Sequence, residues 1–328
     1  MNKNVIVTGG AGYIGSHACK ALKKAGYTPV TIDNLSTGWW EAVKFGPLEI
    51  VDLLDQSNLE RIFEAYKPNA VMHFAAFSQV SESVIDPAKY WRNNVLGSLN
   101  LFQVCASHGC KNVIFSSTCA IYGDHDKIIL TENSEQRPVN AYGSSKRAVE
   151  EMLQQLSKSV GLKHVIFRYF NVAGADPDGD IGEFHDPETH LIPLILNVID
   201  GRQKEITIFG TDYETPDGTC IRDYVHVCDL IDAHISGLKW LEQGGLNKAF
   251  NLGTGSGFSV REVIEHVSLV TDRHVPVVKG ERRAGDCTML VSGSEFARTQ
   301  LGWEPKRSTL KEMITDAWRW HQTGGYQK

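Results

Sequence analysis

The first half of the chain alternates short apolar runs with longer stretches in which apolar residues recur at helical spacing. Residues 5–7, 70–74 and 112–115 are apolar at nearly every position and rich in β-branched and aromatic side chains. Such runs predict strands that are buried on both faces of a parallel sheet. Further strands are predicted at residues 29–32, 48–51 and 164–167, and helices ending near residue 25 and at about 57–66, 90–107 and 142–160. Strand alternating with helix indicates an α/β protein with a doubly wound parallel sheet of the Rossmann type.

The second half of the chain has a different composition. Residues 176–180 and 211–220 contain Asp, Gly and Pro and predict loops, and the elements between and after them are shorter. We therefore predict a Rossmann domain over residues 1–173 and a second, smaller α/β substrate-binding lobe over residues 174–328. Segments near residues 223–252 are expected to return to the first domain.

Composition and charge narrow the function classes. With 42% hydrophobic and 22% charged residues, the 328-residue chain has the composition of a globular protein. Its net charge of -6 argues against a general nucleic-acid binder, which needs a basic face. No apolar stretch has the length of a membrane span, and the N-terminal residues lack the pattern of a signal peptide. The seven cysteines include no Cys-x-x-Cys pair, so we expect reduced thiols and a cytoplasmic location. We expect no metal site, no nucleic-acid partner and no membrane partner.

A glycine-rich segment follows the first strand and opens the first helix. Gly9 allows a tight turn, Gly12 lets the backbone approach a pyrophosphate, and Gly15 lets the helix pack closely on the sheet. The helix N-terminus adds N–H groups and a favourable dipole for phosphates. A glycine turn that merely connects strand to helix has the same composition, but the strand-turn-helix context favours a dinucleotide site.

The second predicted strand ends near an acidic residue. Asp33 lies at the spacing expected for the residue that binds the adenosine ribose hydroxyls. A carboxylate there would repel the 2′-phosphate of NADP, and no arginine follows nearby in the sequence to bind one. The sequence therefore predicts NAD as the cofactor.

Tyr142 and Lys146 lie one turn apart on a predicted helix and so face the same side. An ammonium beside a phenol lowers the tyrosine pKa from about 10 towards neutrality, which suits a general base acting on an alcohol. Such a pair alone is common by chance. Thr118, however, follows a strand end that is expected to open at the cofactor crevice, where its hydroxyl can bond both substrate and tyrosine. The neighbouring Ser116 and Ser117 are expected to be structural.

These motifs, together with three others, resemble those of a known family. The chain is similar to the extended short-chain dehydrogenases/reductases and, within that superfamily, to the UDP-glucose (UDP-galactose) 4-epimerases. The resemblance runs from end to end and rests on residues 8–17, 93–95, 115–118, 142–146, 168–171 and 218–227. The last of these segments is specific, whereas the first is shared by many cofactor-binding relatives.

The resemblance implies a role for each candidate site residue. It makes Tyr142 the catalytic base, Thr118 its hydroxyl partner, and Lys146 the residue that holds the nicotinamide ribose and tunes Tyr142. The implied NAD-binding residues are Gly9, Gly12, Tyr13, Ile14, Gly15, Asp33, Asn34, Asp52, Leu53, Phe74, Ala75, Asn93, Thr118, Tyr142, Lys146 and Phe170. The implied UDP-sugar-binding residues are Thr118, Tyr142, Asn171, His190, Leu191, Ile208, Phe209, Arg222, Tyr224, Arg283, Asp286 and Leu290. Arginine forks suit diphosphate oxygens, although Arg283 also lies in a charged segment typical of an exposed loop.

The reaction implied by the resemblance inverts C4 of a UDP-hexose. Tyr142 takes the C4 hydroxyl proton while the hydride passes to tightly bound NAD, the 4-keto sugar turns over, and the hydride returns to the opposite face. Because the cofactor is reoxidised within each turnover, no net NADH is expected. The resemblance also implies a homodimer that forms through helices of the first domain.

Three positions depart from the family pattern. Ser78 stands where a cofactor-contacting lysine is usual, His190 where an asparagine often contacts the substrate, and Leu290 where side-chain bulk gates N-acetylated sugars. The sequence therefore does not decide whether the physiological substrate is a UDP-hexose, a UDP-pentose or a UDP-N-acetylhexosamine.

Three other functions match parts of the pattern. A UDP-xylose/UDP-arabinose 4-epimerase would use the same residues. Nucleotide-sugar 4,6-dehydratases and decarboxylases resemble the first domain, but they place acidic residues after the Ser/Thr, where this chain has Cys119 and Ala120. A non-catalytic NAD-sensing protein could lose Tyr142 and Lys146 without penalty, yet both are present.

Overall fold

A computed structural model describes residues 3–125, 129–283 and 286–326. The strands are β1 (Asn4–Thr8), β2 (Thr28–Asp33), β3 (Leu48–Ile50), β4 (Ala70–His73), β5 (Asn112–Ser116), β6 (Ile129–Leu130), β7 (Lys163–Tyr169), β8 (Asn171–Ala173), β9 (Ile206–Phe209), β10 (Ile221–His226), β11 (Lys248–Leu252), β12 (Gly257–Ser259), β13 (Val277–Gly280) and β14 (Met289–Ser292). The α-helices are α1 (Tyr13–Lys24), α2 (Gln56–Tyr66), α3 (Val80–Ile85), α4 (Pro87–Tyr90), α5 (Gly97–Ser107), α6 (Ala141–Val160), α7 (Leu191–Ile199), α8 (Val227–Glu242), α9 (Val260–Thr271), α10 (Glu295–Leu301) and α11 (Leu310–Gln322). Short 3₁₀ turns are formed by Trp40–Ala42 and Cys119–Ile121, and Trp91–Leu96 is π-helical.

Seven strands form one parallel sheet in the order β3-β2-β1-β4-β5-β7-β11. The strand order reverses beside β1, because β2 and β3 lie on one side of it and β4 onward on the other. In open α/β sheets, ligands bind at the carboxyl ends of the strands next to such a reversal. The predicted doubly wound sheet of the Rossmann type is confirmed, and β11 joins it from the second half of the chain.

Both faces of this sheet are buried, as the apolar runs predict. Val5 and Val7 of β1 belong to the core that includes residues of α1 and α8, whereas Ile6 belongs to the core on the opposite face with α2 and α5. Alternate residues of a strand point to opposite faces, so one apolar run supplies both cores. This two-sided packing gives the strand ends a rigid support.

A smaller set of strands and helices follows β7. In it β10 pairs in parallel with β8 and β14 and antiparallel with β12, while β9 pairs with β13. Helices α7, α9 and α11 pack around a separate apolar core that includes Ile195, Val263 and Met313. The division of the chain at residue 173 stays a prediction. Within the described ranges, no helix is long and apolar enough to cross a membrane.

One predicted helix is interrupted. The stretch 90–107 contains the π-helical segment Trp91–Leu96 before α5 begins. Asn94 in this segment is buried, donates to the Phe77 carbonyl and the Ser145 hydroxyl, and accepts from the Phe77 N–H. The wider turn brings this amide inwards, which apolar periodicity alone does not signal. Such π-helical turns are frequent at functional sites.

Candidate active site

The three glycines of the first turn have different surroundings. Gly9 has a φ of +71°, and a Cβ there would lie 2.7 Å from the Ala75 amide nitrogen. A Cβ on Gly15 would lie 2.0 Å from the Gly9 carbonyl oxygen, so α1 needs glycine to pack against the turn. A Cβ on Gly12 would meet only the Gly9 oxygen, at 3.3 Å, and would otherwise project into open space. The turn is thus closely packed at two glycines and open at the third.

Gly12 is also the N-cap of α1. No side chain caps this helix, and its first turn carries no acidic residue. The first N–H groups of a helix lack partners within the helix and favour an anion. An open glycine beside an uncapped helix N-terminus fits the pyrophosphate of a dinucleotide, so the residues present match the expected cofactor.

The carboxyl end of β2 presents the predicted ribose ligand. Asp33 is nearly buried and accepts hydrogen bonds from the Ala11 N–H at 3.0 Å and the Leu35 N–H at 2.8 Å. Burial raises the pKa of Asp33, and these two hydrogen bonds oppose the rise. The carboxylate is therefore held firmly beside the glycine turn.

A cavity of about 380 Å³ adjoins this strand end. Three predicted NAD-binding residues, Asn34, Asp52 and Asn93, line it, and the Asn34 side-chain amide donates to Asp52 at 2.8 Å. The cavity also contains Lys89 and Arg92. Sequence reasoning missed these two basic residues because it examined only the segment that directly follows Asp33.

The predicted catalytic residues are brought together between β5 and α6. Asn140 caps α6 by accepting from the Gly143 N–H at 2.8 Å, which sets Tyr142 in the first helical turn. The Thr118 hydroxyl hydrogen-bonds to the Tyr142 hydroxyl. Lys146, one turn later and 4% exposed, donates from Nζ to the Ser116 carbonyl at 2.8 Å.

The pKa values of Tyr142 and Lys146 differ from the expectation that Lys146 lowers the pKa of Tyr142 towards neutrality. Burial raises the pKa of Tyr142 to about 12, and the hydrogen bond from Thr118 only partly opposes this. Burial lowers the pKa of Lys146 to about 7, and the carboxylate of Glu150 opposes the change. Protein groups alone therefore do not bring the phenol towards neutrality. The reason is that desolvation of the phenolate dominates, while the Lys146 ammonium bonds to a backbone carbonyl.

A buried polar network supports the catalytic strand end. Glu150, one turn after Lys146 on α6, forms an ion pair with Arg168 at 2.6 Å and accepts from the Ser117 hydroxyl. The Ser116 hydroxyl hydrogen-bonds to the Tyr169 hydroxyl, so both serine hydroxyls have partners within the protein. Sequence reasoning missed Glu150, although its position one helical turn beyond Lys146 was an available signal.

The residues predicted to bind the diphosphate converge at β10. The Arg222 guanidinium lies 3.9 Å from the Asp286 carboxylate, and Arg283 lies 3.3 Å from the same group. The Arg283 guanidinium also stacks 4.5 Å above the Phe209 ring. Arg283 is 62% exposed, so it lies on a surface loop and still faces this cluster.

The adjoining wall contains three further substrate candidates, Asn171, Tyr224 and Leu290. Asn171 lies beside Tyr224 in the sheet register and hydrogen-bonds to its hydroxyl. Leu290 lies beside Arg222 in the register and packs against the apolar cluster that includes Cys119 and Phe170. The predicted substrate residues of this wall thus come from β8, β10 and β14.

The side chains of several predicted binding residues contact other parts of the protein. The side chains of Ile208 and Leu53 are buried in core clusters, where they take part in apolar packing. The Tyr13 hydroxyl donates to the Gly174 carbonyl at 2.7 Å, and the Phe74 ring packs against His234. Leu191 is the first residue of α7 and packs at the edge of its core.

His190, the N-cap residue of α7, forms ion pairs that the sequence did not suggest. Its Nδ1 lies 2.6 Å from Glu183 and 3.5 Å from Glu188. Burial disfavours the charged imidazole, yet these two carboxylates raise the pKa of His190 to about 10.

Comparison with known proteins agrees with this arrangement of residues. The model of the NAD dependent epimerase/dehydratase family matches residues 5–253. The chain is 47% identical to a UDP-glucose 4-epimerase of Rhizobium meliloti (strain 1021) over 321 residues, which is 98% of each chain. It is similar in structure to the UDP-glucose 4-epimerase from Brucella ovis in complex with NAD, with a TM-score of 0.94, 48% identity and coverage of 96% of this chain and 97% of that chain. It is also similar to the UDP-glucose 4-epimerase from Bifidobacterium longum in complex with NAD+ and UDP, with a TM-score of 0.92, 32% identity and coverage of 98% of each chain. By its sequence match and its fold, the chain belongs to the NAD dependent epimerase/dehydratase family.

Proposed function

We propose that this protein is an NAD-dependent UDP-hexose 4-epimerase that interconverts UDP-glucose and UDP-galactose. The observation that carries the proposal is the meeting of Thr118, Tyr142 and Lys146 at the carboxyl end of β5. These are the residue types that remove and return a proton at a sugar hydroxyl. The relatives that match over nearly the whole chain support the same activity.

In the proposed mechanism, Tyr142 takes the proton from the C4 hydroxyl and later returns it. NAD, when bound, supplies the group that accepts the C4 hydride and gives it back, and its positive ring favours the phenolate. Thr118 also favours the phenolate, because its hydrogen bond lowers the pKa of Tyr142. Lys146 would hold the nicotinamide ribose, where its ammonium would add further positive charge.

The glycine turn and the neighbouring strand ends would hold the cofactor. Gly12 and the start of α1 would bind the pyrophosphate, and Asp33 the adenosine ribose. Asn34, Asp52 and Asn93 would line the adenosine side. Firm binding suits this reaction, because the cofactor must stay in place between the two hydride transfers.

The substrate site would grip the nucleotide firmly and the sugar loosely. Arg222 and Arg283 would bind the diphosphate, since guanidinium forks match its oxygens. The wall near Thr118 is instead apolar, with Cys119 and Leu290. Few hydrogen bonds would hold the 4-keto sugar there, so it could turn and present its other face.

We further propose a cytoplasmic homodimer. The seven cysteines are all free thiols, which suits a reducing compartment. Apolar side chains are exposed on α3 and the adjoining π-helical segment, where Ile85 is 85%, Val84 66% and Trp91 45% exposed. These elements pack against α6, so a dimer through this surface would lie close to Tyr142. Sedimentation velocity measures the assembly state directly.

Purified protein should convert UDP-galactose to UDP-glucose, and Tyr142→Phe should abolish the conversion. Tyr90→Phe is the matched control, because Tyr90 is a buried tyrosine whose ring contacts Tyr142 and whose hydroxyl bonds to Gln79 instead. That control should retain turnover. A panel with UDP-xylose and UDP-GalNAc ranks the sugars. A wild-type preparation that binds NAD but converts no UDP-hexose and no UDP-pentose would overturn the proposal.

A further inference from the structure

The loop that follows β2 contacts the expected NAD site. The Trp39 N–H donates to the Ala11 carbonyl at 2.9 Å, and a Cβ on Gly38 would lie 2.9 Å from the Ala11 Cβ and 3.0 Å from the Asp33 carboxylate. Ala11 belongs to the glycine turn and Asp33 is the predicted ribose ligand, so the loop borders both parts of the site. We refer to residues 34–39 as the cofactor loop.

The first part of the cofactor loop is mostly exposed. Asn34, Ser36 and Thr37 are exposed, and the N–H groups of Leu35 and Ser36 donate to side chains at the start of the same loop. Segments with few buried contacts open locally at a low cost in free energy. The position of the cofactor loop therefore depends on what holds its other end, at Trp39.

Aromatic side chains from the second half of the chain hold Trp39. Its Nε1 donates to the Phe184 carbonyl at 3.0 Å, and its ring meets the Phe184 ring edge-on with the centroids 5.0 Å apart. The Trp39 ring also stacks with the Tyr326 ring at 6.2 Å, and Trp320 of α11 contacts Tyr326 at 5.0 Å. We refer to Trp39, Phe184, Trp320 and Tyr326 as the aromatic clamp.

Tyr326 contacts every other member of the aromatic clamp. Its side chain is nearly buried, and its hydroxyl hydrogen-bonds to the Ser16 hydroxyl of α1 and accepts from the Gly182 N–H at 3.4 Å. The preceding Gly325 has a φ of +72°, and a Cβ there would lie 2.2 Å from the Phe184 ring. The backbone of this segment thus packs directly on the aromatic clamp. Tyr326 joins α1, the cofactor loop and the second half of the chain.

Helix α1 has a separate attachment to the same region. The Lys20 ammonium forms ion pairs at 2.6–2.8 Å with three carboxylates that follow β8, those of Asp176, Asp178 and Asp180. We therefore expect α1 to keep its position when Tyr326 is replaced. The cofactor loop is attached to this region by Trp39, so loss of Tyr326 should act mainly on the loop.

We propose that the aromatic clamp slows the release of NAD by holding the cofactor loop against the glycine turn, with Tyr326 as the positioning residue. A ligand leaves such a site when the segment beside it opens, so the rate of release follows the opening of the loop. A cofactor that is reoxidised in place must stay bound between two hydride transfers, and slow release serves this need. The aromatic clamp is distinct from the proton-transfer group of Thr118, Tyr142 and Lys146.

Sequence analysis missed the aromatic clamp because its members come from separate segments. Trp39 and Phe184 are 145 residues apart, and neither they nor Tyr326 belong to a helix or a strand. No local periodicity marks such residues. The prediction of NAD-binding residues ended at Asn34 on this side of the site.

The test measures the release of NAD from the full-length protein under native conditions and without any UDP-sugar. Protein loaded with radiolabelled NAD is mixed with excess unlabelled NAD, and the label that stays bound is followed by rapid gel filtration. Tyr326→Ala should release NAD at least about tenfold faster than the wild type, because the ring contacts with the other three clamp residues are lost. Tyr326→Phe keeps the ring and should release NAD more slowly than Tyr326→Ala.

Trp318→Ala is the matched control. Trp318 lies on α11 two residues before Trp320, but its ring contacts Arg273 and His321 instead of the aromatic clamp. Its replacement should lower the stability of the NAD-free protein in urea and leave the rate of NAD release unchanged. This control separates positioning of the cofactor loop from a general loss of stability.

Turnover gives a second readout of the same variants. With saturating added NAD, Tyr326→Ala should keep a kcat close to that of the wild type, whereas without added NAD its activity should decay as the cofactor leaves. Circular dichroism identifies a variant that fails to fold. Trp39→Phe, which keeps an aromatic ring and removes the N–H that bonds to Phe184, then decides by its rate of NAD release.

Three results would overturn the proposal. They are equal NAD release from the wild type and the folded clamp variant, equally accelerated release from Trp318→Ala, and a wild-type protein that binds no NAD. The release assay contains no substrate, so its outcome does not depend on which sugar is converted. Failure of this proposal and failure of the epimerase proposal are therefore distinguishable.

Discussion

Two glycines of the first turn have different roles: Gly15 is needed for packing, and Gly12 is expected to be needed for cofactor binding. Gly15 faces backbone, whereas Gly12 faces open space in front of α1. The motif places both glycines in the sequence, and the strand-turn-helix context predicts their roles. The structure adds the distances, since a Cβ on Gly15 would lie 2.0 Å from the Gly9 oxygen and a Cβ on Gly12 would lie 3.3 Å from it.

Alanine at Gly12 should therefore affect NAD binding, and alanine at Gly15 should affect stability. Gly12→Ala should change the free energy of unfolding by less than about 1 kcal/mol, because its backbone is extended and its Cβ has room. It should lose bound NAD, since the Cβ fills the space expected for the pyrophosphate. Gly15→Ala should lower stability, because its Cβ would lie 2.0 Å from the Gly9 oxygen. Urea unfolding and the NAD content of the purified variants measure both effects; a Gly12→Ala protein that retains NAD would contradict this account.

Residue types were easier to predict than residue environments. Thr118, Tyr142 and Lys146 could be predicted because each has a chemical signature at a strand end or a helix start. The high pKa of Tyr142 could not, because it arises from burial by residues distant in sequence. The buried side chain of Ile208 was missed for the same reason.

At the scale of elements, α6 links the catalytic residues to the sheet. Its first turn carries Tyr142, its second Lys146 and its third Glu150, and Glu150 is paired with Arg168 of β7. Both partners are at most 4% exposed in their side chains. The helix is thus held to the sheet by a buried ion pair as well as by apolar packing.

Glu150→Gln should destabilise the protein by about 3 kcal/mol or more, because it leaves the Arg168 charge buried without its partner. Glu151→Gln is the matched control, since the adjacent Glu151 is exposed and should change stability little. Urea unfolding of the two variants measures the difference. Equal stabilities would mean that the pair does not anchor α6.

The positions of helices and strands could be predicted from the sequence where an element keeps one hydrophobic periodicity over its whole length. The helix bounds of α6 and the strands of the parallel sheet are close to those predicted. The π-helical segment Trp91–Leu96 was missed, and its buried Asn94 bonds to Phe77 and Ser145, which lie in other segments of the chain. Contacts between distant segments leave no local pattern.

At the scale of the whole molecule, buried histidines link folding to pH. Burial lowers the pKa of four of them, to about 4 for His17, His164 and His234 and to about 3 for His73. Their pKa in the unfolded chain is about 6.5. As pH falls below that value, the unfolded chain takes up protons that the folded protein refuses, so these groups reduce stability progressively from about pH 6.5 down to their folded pKa values.

His234→Phe should reduce this acid sensitivity. The ring of His234 lies among Phe74, Phe167 and Tyr169, and its Nε2 is buried with no hydrogen-bond partner in the described residues. An aromatic replacement keeps the packing and removes one titrating group. The slope of unfolding free energy against pH, between pH 6.5 and 4.5, should fall by up to about 1.4 kcal/mol per pH unit. An unchanged slope in parallel urea titrations would show that His234 does not contribute.

The class of fold could be predicted from the sequence, but the pairing of every strand could not. Two-sided apolar runs indicated a parallel sheet, and its strand order follows the usual rule for such folds. The pairing of β14 with β6 and with β10 joins segments more than 60 residues apart, and it brings Leu290 beside Arg222. No short-range feature of the sequence indicates that register, so the family resemblance names the residues of the substrate wall and the structure gives their contacts.

In the proposed epimerase reaction, the hydride that leaves C4 returns within the same turnover. The most direct measurement follows UDP-galactose conversion by proton NMR together with the near-ultraviolet absorbance of reduced nicotinamide, using the purified protein with its bound cofactor. Sugar conversion should proceed to an equilibrium mixture of UDP-galactose and UDP-glucose with no accumulation of NADH. One NADH formed for each sugar oxidised, with added NAD consumed, would contradict it and indicate a dehydrogenase.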